Sequence, residues 1–253
     1  MGLRPRIIPV LLLHQNGIYK TKQFKNPTYI GDPLNIVRIF NDKEVDELLL
    51  LDIDASITGK DPDYKRLYDI TGEAFMPIAY GGGIHKVEQV EALFSAGIEK
   101  VVLNSVLFNN LNIVESLVAT YGSQSIVANI DYKRAFFRTN VYFFGGKQKS
   151  HYHPLDWAVK LAESGVGEII LNNISREGMG NGFDLDMLKK ATEQIKIPIV
   201  ISGGASTLND LNLARNNGAS AMAAGSMFVF KMPHRAVLIN YPSDAEIEII
   251  THA

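Results

Sequence analysis

Two stretches of the chain, 121 residues apart, repeat one unit, and each ends in a glycine-rich turn. Met76-Pro77-Ile78-Ala79-Tyr80-Gly81-Gly82-Gly83 aligns with Ile197-Pro198-Ile199-Val200-Ile201-Ser202-Gly203-Gly204. The same register pairs Val45-Asp46-Glu47-Leu48 with Val166-Gly167-Glu168-Ile169, Gly97 with Gly218, and Ser105 with Ser226. With one gap, Ile7 to Leu12 matches Ile126 to Asp131. A duplicated strand–turn–helix unit implies a fold of two halves, each with its own glycine site.

Continuous apolar runs bounded by turn residues recur at 7–13, 48–53, 76–80, 100–104, 125–131, 168–173, 197–201 and 221–224. Runs without polar alternation suit strands buried on both faces of a parallel sheet. Amphipathic segments lie between them, with Val87, Val90, Leu93 and Phe94, and later Leu155, Ala158, Leu161 and Ala162, at helical spacing. Strand alternating with helix eight times predicts an α/β chain folded as a single (β/α)8 TIM barrel over residues 1–253. Its half-barrels would span about 1–122 and 123–242. One doubly wound sheet is the alternative. Segment 14–32, with Lys20, Lys22 and Lys25, and segment 132–154 are expected as long loops on the active face. Val141 to Phe144 followed by Gly145-Gly146 reads as a small hairpin within the second. The tail from Pro242 to Ala253 has weak periodicity and no assigned role.

A formal net charge of −2 gives no electrostatic case for nucleic acid or an anionic membrane. The absence of cysteine removes disulfides and thiolate zinc sites and fits a soluble cytoplasmic protein. Ile7 to Leu13 superficially resembles a secretion signal, but no small-residue cleavage site follows, so a first core strand is expected instead. No apolar run reaches the ~18 residues that span a bilayer. No metal or cofactor is expected.

Gly81-Gly82-Gly83 and Ser202-Gly203-Gly204 each follow a strand and precede a helical segment, where backbone N–H groups can hold an oxyanion. Asn104-Ser105 and Gly225-Ser226 follow the next strands and would add a second wall to each pocket. A lone glycine pair more often makes only a tight turn. Duplication at matching positions favours two phosphate pockets on opposite sides of one mouth, suited to a ligand with a phosphate at each end. Asp131 ends the fifth strand, where a carboxylate can serve as general acid or base. Asp52 ends the second and is either a further acid or a loop cap. The position matching Asp131 in the first half is Leu12, so a carboxylate pair would be incomplete. Strand starts carry Arg6, Glu47, Lys100 and Glu168, which either close the barrel bottom as an ion-pair ring or merely flank the strands.

Together with Arg6-Ile7-Ile8-Pro9, Gly122-Ser123-Gln124 and Ile130-Asp131, these motifs resemble HisF, the cyclase subunit of imidazole glycerol phosphate synthase, from Arg6 to about Phe230. The resemblance implies a barrel that binds a doubly phosphorylated ribulosyl substrate and receives ammonia from a glutaminase partner, HisH, in a heterodimer. It implies one phosphate site at Gly83, Asn104 and Ser105, and another at Gly178, Gly204, Gly225 and Ser226. Lys20 matches the mobile-loop lysine of that family, and Arg6, Glu47, Lys100 and Glu168 match its charged ammonia gate. Two departures stand out. The family has an aspartate acid on the first strand where this chain has Leu12, and its Asp-Arg-Asp-Gly segment is Ser175-Arg176-Glu177-Gly178 here.

A complete gate beside a broken acid–base pair resembles the second HisF-like paralogue of bacterial surface-polysaccharide pathways. So do Phe24-Lys25-Asn26-Pro27, Gly31-Asp32-Pro33 and Pro233-His234-Arg235-Ala236-Val237-Leu238. That paralogue accompanies a HisH-like glutaminase and an N-acetyl-sugar amidotransferase that makes an acetamidino group. The expectation is a synthase subunit that takes ammonia from the glutaminase and supports amidation of a sugar. The alternatives are a histidine-pathway cyclase that works through Asp131 alone, and a non-catalytic conduit or scaffold.

Overall fold

The computed structural model describes residues 4–231 and 234–252. Eight parallel strands close on themselves: β1 (Arg6–His14), β2 (Leu48–Asp52), β3 (Ile78–Gly81), β4 (Lys100–Leu103), β5 (Ile126–Ala135), β6 (Glu168–Asn173), β7 (Ile199–Ser202) and β8 (Ala221–Ala224). β1 pairs with β8 from Arg6 opposite Ala221, and β5 pairs with β6 from Val127 opposite Glu168, so no barrel edge is left open. Closure excludes the doubly wound sheet. Around the barrel run α1 (Pro33–Asn41), α2 (Tyr64–Glu73), α3 (Val87–Ser95), α4 (Ile113–Tyr121), α5 (Pro154–Glu163), α6 (Leu185–Gln194), α7 (Leu208–Asn216) and α8 (Asp244–His252). The repeat is visible in the elements: Ile78 and Ile199, Val87 and Leu208, Lys100 and Ala221, and Ser105 and Ser226 each begin equivalent segments 121 residues apart.

Alternation along each strand divides the core in two. On β1, Ile7, Leu11 and Leu13 face the helices, while Ile8, Val10 and Leu12 join Leu49, Ala79, Val102, Val127, Ile170 and Val200 inside the barrel. Helix starts are fixed by side-chain caps: Asp32, Asp63 and Asp184 accept N–H bonds at α1, α2 and α6, and Thr207 forms a capping box with Asp210 at α7. Each such cap stabilises its helix by about 1 kcal/mol.

Two expected loops are partly sheet. Residues Gly17–Lys22 turn back antiparallel on β1 and then pair with Lys25–Gly31. In segment 132–154 the main hairpin is larger than the one expected: β5 continues past Asp131 to Ala135 and pairs with Arg138–Phe143. The turn at Phe144 to Gly146 then returns Gln148–Lys149 against that strand. The tail packs on the barrel, held by the residue just before it. The Tyr241 hydroxyl lies 2.8 Å from the Ile7 carbonyl and 3.0 Å from Asp46, and α8 packs Ile247 and Ile250 onto α7. Met1 to Leu3, Pro233 and Ala253, named above in the domain, motif and tail readings, lie outside the described residues.

Candidate active site

The strand C-terminal ends surround a cavity of about 330 Å³. Asp131, Lys20, Gly83, Asn104, Ser105, Gly178, Gly204, Gly225 and Ser226 all line it, as do Leu12 and Asp52. Parallel strands deliver most of these side chains to one end because they stand at or just after the strand C-termini, while Lys20 comes from the antiparallel hairpin Gly17–Gly31 and Gly178 from the loop after β6.

Asp131 is buried and held by three amides. Asn172 Nδ2 donates to its Oδ1 at 2.8 Å, Asn129 Nδ2 to the same oxygen at 3.0 Å, and Asn104 Nδ2 to Oδ2 at 3.0 Å. Burial pushes the carboxyl up to about 6, and the three donors only partly offset it. A group poised near 6 can both give and take a proton close to neutrality. Lys20 is likewise buried, and burial lowers its ammonium to about 8, although the nearby Glu177 charge opposes that. Its Nζ donates to the Val10 carbonyl and lies where a side chain on Gly225 would begin. Asp52 serves as a loop cap: Oδ1 accepts from the Asp54 and Ala55 N–H groups, both at 2.9 Å.

The two glycine pockets are not equivalent. In the first, Gly83 N–H donates to Ser56 Oγ at 3.2 Å, and Ser105 Oγ accepts from Phe144 N–H at 3.2 Å. In the second, Ser226 Oγ is buried with no hydrogen-bond partner among the described residues, and the Lys20 ammonium stands beside Gly225. The second is therefore the better prepared for an anion. Its Gly204 has φ 112°, and a Cβ there would run into the Gly182 carbonyl, so close loop packing also requires this glycine.

One pair escaped the sequence reading. His14, the next inward position after Leu12 on β1, lines the cavity with Nδ1 2.7 Å from Asp54 Oδ1. The second oxygen of Asp54 accepts the Gln15 N–H at 2.8 Å, and the imidazole stands edge-on to Tyr19 at 4.8 Å. Its only signal in sequence was a histidine ending an inward-facing run.

At the opposite end, the four strand-start charges meet in a closed ring. Arg6 bridges Glu47 and Glu168, while Lys100 Nζ reaches Glu47 at 3.1 Å and Glu168 at 3.3 Å. Both glutamates are buried. Burial pulls the Arg6 guanidinium down, but the two carboxylates outweigh that and hold it above its ordinary range. Glu99, beside the ring, is exposed. Between ring and cavity the barrel interior is packed with apolar side chains, of which Ala79, Ala221 and Ala223 are the smallest. The cavity floor reaches Val102, two residues above Lys100, which is roughly 7 Å of strand.

The family described as "Histidine biosynthesis protein" matches residues 6–233. A Pseudomonas aeruginosa protein provisionally named imidazole glycerol phosphate synthase subunit hisF2 is 45% identical over 249 residues, 98% of this chain and 99% of its own. A Leptospira interrogans protein provisionally named as the HisF subunit is 45% identical over 251 residues, again 98% and 99% of the two chains. The HisF subunit of Chlorobium phaeovibrioides is 35% identical over 230 residues, 90% of this chain and 92% of its own. Among the described residues, no helix is long and apolar enough to cross a membrane.

Proposed function

The chain belongs to the histidine biosynthesis protein family, and from that premise we propose that it is a HisF-like synthase subunit that takes ammonia from a HisH-like glutaminase and supports amidation of a sugar in surface-polysaccharide biosynthesis. One observation carries the reading: an alternating four-charge ring closes the barrel end opposite a cavity lined by two glycine pockets, and the reading makes the apolar interior between them the bore for ammonia. Ammonium is too costly to desolvate in such a bore, whereas neutral ammonia passes. A ring satisfied within itself closes the bore, and a partner that draws one charge aside opens it. At the far end, the second glycine pocket with Lys20 holds a phosphate, and Asp131 exchanges protons with whatever ammonia attacks. The acetamidino product is favoured over the histidine-pathway one by Leu12, which faces the cavity where a carboxylate would otherwise stand.

A second reading, a histidine-pathway cyclase, is supported by the names of the relatives and by the intact Asp131. The experiment that separates them supplies ammonium with either the doubly phosphorylated ribulosyl substrate or the amidotransferase and its acetamido sugar. Turnover of the second alone is the expected result. Turnover of the first at a rate typical of HisF enzymes rejects the proposal.

A further inference from the structure

The mouth of the barrel carries a feature that the chemistry of the cavity does not use. The strand Arg138–Phe143 turns back on β5 through only Phe136 and Phe137, with Ala135 opposite Arg138. These two side chains are 95% and 93% exposed. Phe136 holds φ 55°, the left-handed region where two-residue hairpin turns ordinarily place Asn, Asp or Gly. Backbone strain and two bare rings both weigh against the hairpin.

The stalk beneath is the opposite. Tyr132, Val141 and Phe143 are fully buried, and the Phe143 ring packs at 4.9 Å from Phe108 and 5.9 Å from Trp157. At its root, Phe144 N–H is tied to Ser105 Oγ in the first glycine pocket. Five residues separate Asp131 from Phe136, so the tip stands roughly 17 Å beyond the carboxylate. Positive charge runs along the hairpin, with Lys133, Arg134 and Arg138 towards the tip and Lys147 and Lys149 at the root. From Tyr132 to His153 there are five cations (Lys133, Arg134, Arg138, Lys147 and Lys149) and no carboxylate, in a chain of net charge −2. Among the described residues, none of the five enters an ion pair.

We infer that this hairpin tip anchors a second protein over the catalytic mouth, one that offers an apolar pocket for two phenyl rings within an acidic rim. The inference rests on the proposed transfer of ammonia to a sugar and names the N-acetyl-sugar amidotransferase as occupant. Ammonia leaving an open mouth would be protonated and diluted, so an acceptor enzyme must cover it. Exposed aromatic rings bury roughly 150–250 Å² each on docking, and the surrounding cations speed encounter with an acidic surface. Rings and arginines of this kind dominate interface energies.

The test is biolayer interferometry of the full chain, and of its complex with the glutaminase, against purified amidotransferase. Phe136→Gly combined with Phe137→Asn puts glycine at the left-handed position and a turn-forming residue after it, so the hairpin is retained and the melting temperature does not fall. Binding to the amidotransferase is expected to weaken roughly 30-fold or more, with glutaminase binding unchanged. Arg134→Glu with Arg138→Glu should slow association and flatten its salt dependence. Equal amidotransferase affinity for the double-phenylalanine variant and wild type overturns the inference while leaving the proposed function standing. If wild type ignores the amidotransferase and instead sediments with phosphatidylglycerol–phosphatidylethanolamine vesicles through the same two rings, the protein-docking inference is wrong. Whether glutamine-dependent amidation occurs at all is read in a separate assay and judges the proposed function alone.

Discussion

Replacing Asp131 by asparagine should make the barrel more stable in a way that depends on pH. Burial raises this carboxyl to about 6, and an unfolded aspartate titrates near ~3.9. An acid whose folded value lies above its unfolded one binds its proton more readily when folded, so its negative charge penalises folding. That penalty is absent below about 4, grows between about 4 and 6, and is complete above about 6. Its size is about 3 kcal/mol. At roughly 2–4 °C per kcal/mol for a chain of this size, it corresponds to roughly 6–12 °C in melting temperature. Asparagine is neutral throughout. Any fixed cost from its amide facing the donors Asn104, Asn129 and Asn172 is the same at every pH. The assay is thermal unfolding of both chains from pH 4 to 7.5. The melting-temperature difference, variant minus wild type, should climb by that amount and level off above pH 6. A flat difference would show that Asp131 is not held in the penalised state described here.

Removing the buried, unpartnered hydroxyl with Ser226→Ala should leave stability within about 0.5 kcal/mol but weaken inorganic phosphate binding roughly 10-fold or more in calorimetry. Ser105→Ala, whose hydroxyl accepts from Phe144 N–H, should instead cost about 1 kcal/mol of stability; the reverse pattern would contradict the assigned inequality of the two pockets. Wild type should fail to complement a HisF-deficient strain. Leu12→Asp should raise any residual cyclase rate, since a general acid contributes ~10²–10⁴-fold, and normal complementation by wild type would refute the reading of Leu12.

The barrel was legible because parallel strands buried on both faces leave unbroken apolar runs, and the Gly81–Gly83 and Ser202–Gly204 turns repeat in one register. Those local signals are also the ones that place the site, so Asp131, Ser105 and Ser226 fell on the cavity where strand ends were expected. The hairpins were harder. Gly17 to Gly31 folds back on β1 as a local hairpin, but Lys20, Lys22 and Lys25 interrupt any apolar alternation that would announce its strands. The turn at Phe136-Phe137 lacks the glycine or asparagine that marks such turns, so its left-handed φ was invisible. Asp54 binds His14 across two strands, a contact that spacing along the chain does not encode. Asp52 was open between acid and cap until the Asp54 and Ala55 N–H groups were seen to point at it.

In the proposed function, ammonia travels through the barrel, past Arg6, Glu47, Lys100 and Glu168, without entering bulk water. This route is tested most directly by isotope retention. The chain, its HisH-like glutaminase and the amidotransferase are supplied with amide-15N glutamine, the acetamido sugar and an excess of unlabelled ammonium, and the product is read by mass spectrometry. Wild type should yield product labelled almost wholly from glutamine. Lys100→Met, which leaves Glu47 and Glu168 sharing only Arg6, should bind the glutaminase less tightly and dilute the label. Product from wild type with the isotopic composition of the bulk ammonium would contradict the account.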